Sequence, residues 1–262
     1  MAQNDYTQYA KDELTLNESI KKGNKSNDAK RIQEWLTFNH QQVVIDGEFG
    51  PATEQAVKNF QKTLGLNENG IVDPLTWKML TRPMQNALAG IGNTQSFGDA
   101  LKVIATQHLN QHPIEIGGEN RGPWVRLYMQ GAEGEDQLWC AGFVSFILQQ
   151  TRDNLGLQVM PIAGSQSCDI LAKQAKQKGR LVPAELFASR QKRWQEMGQI
   201  QLFLVRSDKS DQDWVHTGFS FNGHDSLFST IEGNTDHQGS ANGYEVCSKI
   251  RNISNKDFIS LL

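Results

Sequence analysis

The sequence predicts an α+β fold, with a small three-helix module followed by a domain of helices packed on an antiparallel sheet. Apolar residues at helical spacing, such as Ile32, Trp35 and Leu36, mark the module. In the rest of the chain, helical patterns come first and strand-like alternation comes last. Helices followed by strands favour α+β over a parallel sheet with alternating helices.

An internal repeat supports the three-helix module. The segment DGEFGPAT at residues 46–53 recurs as NGIVDPLT at residues 69–76. Each copy begins with a turn dipeptide and then places proline where a helix starts, a position at which the missing N–H costs no hydrogen bond. Asp73 suits the N-cap before the second proline. We assign this module to residues 28–82.

The remaining chain is predicted to contain a tail, a linker and a second domain. Residues 1–27 are polar and predict a loose tail or a short helix, and residues 83–98 predict a linker without clear periodicity. The second domain then spans residues 99–262. Its predicted helices are 99–110, 140–150 and 166–178, and its predicted strands are Ile200–Val205, Trp214–Phe221, Ser226–Glu232 and Tyr244–Ile250.

Composition argues against several classes of protein. The net charge of −3 does not fit an extended basic nucleic-acid surface, and 38% hydrophobic with 21% charged residues is an ordinary globular balance. No run approaches the roughly 18 apolar residues of a membrane-spanning helix. The N-terminal residues lack the pattern of a signal peptide, so we expect synthesis in the cytoplasm. Three cysteines make no disulfide framework and leave at least one thiol available for chemistry.

Cys140 begins a predicted helix. Phe143, Val144 and Ile147 follow it at helical spacing, so the thiol starts the buried stripe of that helix. Unpaired N–H groups and the helix dipole stabilise a thiolate at such a position, where nucleophilic cysteines are often found. Taken alone, a cysteine of this kind is more often a buried structural residue.

A histidine and a glutamate on two predicted strands strengthen the case for a nucleophile. His216 alternates away from the most apolar face of its strand, beside Gly218, which leaves room. Pairing Asn222 with Ser226 across the following turn sets His216 directly opposite Glu232, close enough for a hydrogen bond. A register that differs by one residue would turn one of the two away.

Cys140, His216 and Glu232 together predict a catalytic triad. The carboxylate would fix the imidazole tautomer, the imidazole would take the thiol proton, and the thiolate would attack a carbonyl carbon. The backbone N–H of Cys140 is a candidate donor for the oxyanion hole that this chemistry requires.

Three further residues are candidates for the site. Asn234 is either a second orienting group or a turn residue that follows Gly233. Trp139, which precedes Cys140, and Trp214, two residues before His216, are expected to contact substrate.

Residues 140–234 resemble a CHAP domain, a papain-like cysteine amidohydrolase/peptidase related to the NlpC/P60 proteins. The matching pieces are WCAGFVSF around Cys140, HTGFSF from His216 and TIEGN at residues 230–234, and the preceding GGENRG at residues 117–122 also resembles the entry segment of that family. The resemblance implies a papain-like fold in which the cysteine and the histidine are catalytic. It also implies that Glu232 completes the site, with Asn234 as a further candidate.

Residues 28–82 resemble a peptidoglycan-binding domain of the three-helix kind. The matching pieces are DGEFGPATEQAVKNFQ from Asp46 and NGIVDPLTW from Asn69, with Asp73 where that family often has glycine. The two resemblances imply a peptidoglycan hydrolase that cleaves an amide bond in or next to the stem peptide through a thioester. The binding module would raise the local concentration of the enzyme on its polymeric substrate.

Alternatives remain open for the reaction and for the delivery of the protein. The same triad serves an N-acetylmuramoyl-L-alanine amidase and a stem-peptide endopeptidase. The domain could instead be degenerate, which would leave a wall-binding protein, or it could be a thiol acyltransferase. Action on the wall, in the periplasm of a host or target bacterium, fits a phage-type lysin or an injected effector. An effector would need an immunity protein as a partner.

We expect no cofactor and no metal, and neither nucleic acid nor membrane as a partner. Some CHAP domains bind calcium through an acidic loop before the nucleophile. Here Glu133, Glu135 and Asp136 lack the alternating carboxylate spacing of a calcium loop. No HExxH or CxxC motif indicates a zinc site.

Overall fold

The computed structural model describes residues 6–92, 96–238, 240 and 242–262. These form two compact units. The first is built from the residues up to Asn86 together with Ile114–Glu135, and the second from Ala87–Pro113 and Asp136–Leu262. Residues 1–5 of the predicted tail and residues 93–95 of the predicted linker lie outside the described range.

Helices make up the first unit, and a sheet organises the second. The helices are α1 (Tyr6–Leu14), α2 (Asn27–Phe38), α3 (Pro51–Thr63), α4 (Pro74–Leu80), α5 (Arg82–Ala87), α6 (Phe97–Leu109), α7 (Pro123–Tyr128), α8 (Cys140–Leu155), α9 (Cys168–Gln177) and α10 (Glu185–Ala188). The strands are β1 (Leu181–Pro183), β2 (Ile200–Ser207), β3 (Ser210–His224), β4 (Leu227–Thr235), β5 (Glu245–Asn252) and β6 (Lys256–Ser260). In the described parts of the chain, no helix has the length and apolar character needed to cross a membrane.

The two copies of the internal repeat fold alike, which confirms the predicted turn-then-helix units. Helices α3 and α4 begin at Pro51 and Pro74, and the Asp73 carboxylate accepts a hydrogen bond at 2.7 Å from the backbone N–H three residues on. Gly47 and Gly70 have φ angles of 76° and 71°. Residues with a side chain rarely adopt such angles, so each turn requires its glycine.

A buried glutamine holds the turn in each copy of the repeat. The side-chain carbonyl of Gln33 accepts from the N–H of Gly47 at 2.8 Å, and that of Gln61 accepts from the N–H of Gly70 at 2.9 Å. In both copies the glutamine amide also donates to a threonine hydroxyl of the next helix at 3.2 Å. These bonds satisfy buried polar groups that would otherwise destabilise so small a module.

Residues 114–135 belong to the first unit. The guanidinium of Arg126, on α7, bonds three carboxylates at 2.6–2.7 Å, namely Glu13, Glu34 and Glu133. The sequence analysis placed these residues in the domain that begins at residue 99, because local periodicity carries no sign of ion pairs between distant segments. The predicted linker also differs, since its first residues form α5, in which Met84 is buried.

The second unit is a six-stranded antiparallel sheet with helices packed on it, in the order β1-β6-β2-β3-β4-β5. Helix α8 packs on the sheet through an edge-to-face contact between Phe143 and Phe219, with ring centroids 6.0 Å apart. The predicted α+β class is therefore confirmed. Strands β1 and β6 were not predicted, because each is short and β6 is recognisable only by the neighbours it pairs with.

The register between β3 and β4 differs from the predicted one. Phe219 pairs with Ile231, a register that continues to Gly218 beside Glu232 and leaves His216 two residues earlier on its strand. The predicted pairing of Asn222 with Ser226 is wrong because β3 carries an irregularity near its end and the strands turn later. A shift of two residues leaves every side chain on its original face, so His216 and Glu232 still meet.

Candidate active site

Cys140 is the first residue of α8, as the sequence predicts. The first helical hydrogen bond runs from the Phe143 N–H to the Trp139 carbonyl at 2.8 Å, so the N–H groups before it have no acceptor within the helix. The cysteine is buried, with 3% of its surface exposed. All three cysteines of the chain are free.

His216 and Glu232 are in direct contact. Nε2 of the histidine lies 2.9 Å from Oε2 of the glutamate, and the two residues are 1% and 0% exposed. Gly218 makes this contact possible, because a Cβ atom there would lie 2.8 Å from Cγ of Glu232 and 2.8 Å from the ring of Phe203. The room that the sequence analysis attributed to this glycine is thus filled by the glutamate side chain.

Arg251, on β5, is a site residue that the sequence analysis missed. Its Nε and Nη2 atoms donate to the two oxygens of Glu232, each at 2.6 Å. The guanidinium also lies 5.7 Å from the ring centroid of Phe203. The predicted strand ended one residue before this arginine. The rule that a buried carboxylate needs a cationic partner could have drawn attention to it.

Cys168 is the second missed neighbour. It is the first residue of α9, is 7% exposed, and has its Sγ 3.9 Å from Sγ of Cys140. Cys168 lies within the helix predicted over residues 166–178, to which no site residue was assigned.

At His216 and Glu232, charge pairing changes the pKa more than burial does. Burial by itself would lower the pKa of His216, but interactions with Cys140 and Glu232 raise that pKa to about 9. Burial would likewise raise the pKa of Glu232, but His216 and Arg251 lower it to about 2. At neutral pH the site therefore holds an imidazolium next to a carboxylate.

The pKa of the Cys140 thiol lies well below its ordinary value. The largest cause is the hydrogen bond with Cys168; burial opposes it, and His216 and the backbone of Thr217 add to it. Nδ1 of His216 is buried and has no hydrogen bond of ordinary geometry to any described residue. Because Glu232 bonds Nε2, Nδ1 is the ring nitrogen left for the thiol.

The other predicted site residues have different surroundings. Asn234 is buried, has a φ angle of 54°, and donates to the Gly243 carbonyl at 3.1 Å. Trp139 is fully buried, and a Cβ at Gly233 would lie 2.7 Å from its ring, so the side chain is packed inside the protein. Trp214 is half-buried, and its Nε1 donates to Asp257 at 2.9 Å.

One group of side chains among the described residues has donor atoms suited to a metal. The ligand atoms of His237, Glu245 and Cys247 lie within 4.8 Å of one another. Glu133, considered above for calcium, instead bonds Arg126 at 2.7 Å and Lys30 at 2.9 Å. The expectation that the protein needs no metal stays a prediction.

Comparison with known proteins identifies the N-terminal module. A family model described as a peptidoglycan binding domain matches residues 25–80. An uncharacterized protein from the bpoA1 3' region of Kitasatospora aureofaciens is 56% identical over 36 residues, which are 14% of this chain and 30% of that protein. The zinc D-Ala-D-Ala carboxypeptidase of Streptomyces albus G is 49% identical over 39 residues, which are 15% of each.

A solved structure is also similar over a short stretch. It is a peptidoglycan-binding protein from Clostridioides difficile in complex with glutamine hydroxamate, 41% identical over 27% of this chain and 46% of that one, with a TM-score of 0.26. This chain spans less than a third of the curated relatives that it matches. Residues 25–80 of this chain therefore match a peptidoglycan binding domain.

Proposed function

We propose that the chain is a cysteine hydrolase that cleaves an amide bond in or next to the stem peptide of peptidoglycan. The observation that carries this proposal is the buried group of Cys140, His216 and Glu232, which lies in the same chain as a peptidoglycan binding domain. The resemblance to CHAP and NlpC/P60 domains points to the same reaction. Perturbed pKa values of a thiol and an imidazole that face each other are typical of a nucleophile and its acid–base partner.

In the first half of the proposed reaction, the Cys140 thiolate attacks the carbonyl carbon of the amide. A carbon–sulfur bond forms, and the carbonyl electrons move to oxygen, where backbone N–H groups at the start of α8 are candidate donors. As the tetrahedral intermediate collapses, the carbon–nitrogen bond breaks and the His216 imidazolium gives its proton to the leaving amine. The product is a thioester on Cys140.

Water completes the reaction. The now neutral His216 takes a proton from water, the resulting hydroxide attacks the thioester carbon, and the carbon–sulfur bond breaks to restore the thiolate. Glu232 keeps the imidazole ring in place throughout, since it bonds Nε2 and leaves Nδ1 toward the sulfur. The carboxylate stays ionised because His216 and Arg251 both bond it and lower its pKa against the effect of burial.

The bond cleaved is either the amide between muramic acid and L-alanine or one within the stem peptide. The matched carboxypeptidase acts by its name on D-Ala-D-Ala, and this short match supports only an association with the cell wall. Its zinc chemistry is not part of the proposal, because the match covers 15% of that enzyme and the thiol group supplies its own nucleophile.

Mass spectrometry of fragments released from purified peptidoglycan tests the proposal and identifies the bond. Wild type should release fragments whose mass includes one added water, and Cys140→Ala should release at least about a thousandfold less. Cys247→Ser, which alters another buried thiol, is the control and should retain activity. Equal release by wild type and Cys140→Ala would rule out Cys140 as the nucleophile.

A non-catalytic wall-binding protein is the second candidate. It is favoured by the 3% exposure of Cys140 and by a family match confined to the binding module. In that case wild type would sediment with peptidoglycan and release no fragment. A product that carries an added acceptor instead of water would indicate an acyltransferase.

The proposed site of action is the cell wall, and delivery as a phage-type lysin or as an injected effector both fit it. An effector requires an immunity protein in the producing cell. The lysin and the effector are distinguished by directing expression of this protein to the periplasm. The experiment is done with and without the product of a small neighbouring gene for an exported protein. Protection by that partner would support an effector.

A further inference from the structure

Two thiols lie together at the site, at the starts of two helices. Cys140 begins α8 and Cys168 begins α9, and their sulfur atoms are 3.9 Å apart, within the range of a hydrogen bond between sulfurs. Both residues are buried, so water cannot readily solvate either sulfur. Two thiolates at this distance would repel each other strongly, so one sulfur carries the charge and the other keeps its proton.

The surroundings decide which sulfur is ionised. Cys140 has the His216 imidazolium and the Thr217 backbone as partners, and both favour a negative charge. Cys168 has the carboxylate of Asp169 next to it, which disfavours a second negative charge. That carboxylate is held in place, since it accepts from the backbone N–H of Trp214 at 2.8 Å. The hydrogen bond with Cys140, burial and then the charges of Cys140 and Asp169 raise the pKa of Cys168 well above its ordinary value.

We propose that Cys168 is a positioning residue whose S–H donates a hydrogen bond to the Cys140 thiolate. The inference rests on the proposed function only in taking Cys140 as the nucleophile. In the resting site the thiolate then has partners on two different elements, Cys168 on α9, and His216 with the Thr217 backbone on β3. When the thioester forms, the charge leaves the sulfur of Cys140, and Cys168 retains its proton throughout the reaction.

Alkylation of Cys140 by iodoacetamide as a function of pH tests this role without any substrate. Modification of each cysteine is followed by mass spectrometry of its own peptide. In Cys168→Ala, the pH midpoint of Cys140 alkylation should rise by about one pH unit or more, because the thiolate has lost a hydrogen-bond donor. At pH values below the midpoint, this shift corresponds to about a tenfold loss of thiolate. Cys168→Ser, which keeps a donor, should lie nearer to wild type.

Two controls separate this role from packing. Ile170→Ala changes an exposed residue of the same helix and should leave the midpoint at the wild-type value. Cys168→Val fills the space without donating and replaces Cys168→Ala if that variant does not fold. A wild-type midpoint in the variants without a donor would overturn the proposal, as would a serine variant no closer to wild type than alanine. If peptidoglycan is not cleaved but the midpoint shifts, only the proposed function fails.

Discussion

Arg251 donates to both oxygens of Glu232, from Nε to Oε1 and from Nη2 to Oε2, each at 2.6 Å. Oε2 also lies 2.9 Å from Nε2 of His216, and the Thr230 hydroxyl donates to Oε1 at 2.5 Å. A carboxylate held at so many points has little freedom to move away from the histidine. Its charge is shared between a guanidinium and an imidazolium.

Arg251→Ala should lower the free energy of unfolding by about 3 kcal/mol, because it leaves a buried carboxylate with one cation fewer. The upper pH limit of activity should also rise, since the negative charge of Glu232 then acts on His216 without a competing cation. Urea unfolding and the pH dependence of kcat/KM measure the two effects.

Arg206 provides a matched control for Arg251. It also bonds carboxylates, those of Glu185 and Asp257, and its side chain is 18% exposed, as is that of Arg251. Arg206→Ala should lose stability without moving the upper pH limit of activity. An equal shift in both variants would mean that this limit reports unfolding and not the protonation of His216.

The pH dependence of wild type follows from the two perturbed groups. kcat/KM should fall as pH rises through about 9, the pKa of His216, because the imidazolium that protonates the leaving amine is then lost. Activity should persist below the ordinary thiol pKa, because the pKa of Cys140 is lowered. A fall near the ordinary histidine pKa would contradict the thiolate–imidazolium pair.

The same group makes stability depend on pH. The pKa of His216 is raised from 6.5 to about 9, so its pairing stabilises the fold fully below pH 6.5 and is lost as pH rises through 9. The difference in unfolding free energy between wild type and His216→Gln should shrink over this interval, which urea titrations at several pH values would show.

Gly218→Ala should reduce both stability and activity. The added Cβ would lie 2.8 Å from Cγ of Glu232 and 3.0 Å from the backbone carbonyl of Ile231, so the glutamate must shift from His216. We expect a loss of about 1–3 kcal/mol, typical of overpacking, together with a fall in kcat. Gly90→Ala, where the nearest atom is 3.8 Å away, should change neither. Full activity in Gly218→Ala would show that the Glu232 position is not needed.

Removal of metal ions should leave fragment release unchanged. The proposed nucleophile is a sulfur, and the group of His237, Glu245 and Cys247 takes no part in the proposed reaction. Dialysis against a chelator and the variant His237→Ala should both retain wild-type kcat/KM. Loss of activity on dialysis, restored by added zinc, would contradict a metal-independent cysteine mechanism.

Local features of this protein could be predicted because each depends on neighbours in the chain. The start of α8 at Cys140 follows from helical spacing, and the starts of α3 and α4 follow from a proline after a turn dipeptide. Alternation along β3 and β4 placed His216 and Glu232 on a common face, although the predicted register was displaced by two residues. Period-two side-chain alternation tolerates a shift of two, and the contact therefore survived the error.

Sequence by itself thus determined the two helix-turn repeats, the α+β class and the cysteine, histidine and glutamate of the candidate site. Only the tertiary structure decided that Arg251 joins Glu232, that Cys168 lies beside Cys140, and that Arg126 ties residues 114–135 to the first unit. Each of these contacts joins residues far apart in the chain. Burial makes an unpaired charge or polar group unfavourable, so buried groups are found with partners. Which groups are buried is decided only when the helices and strands pack together.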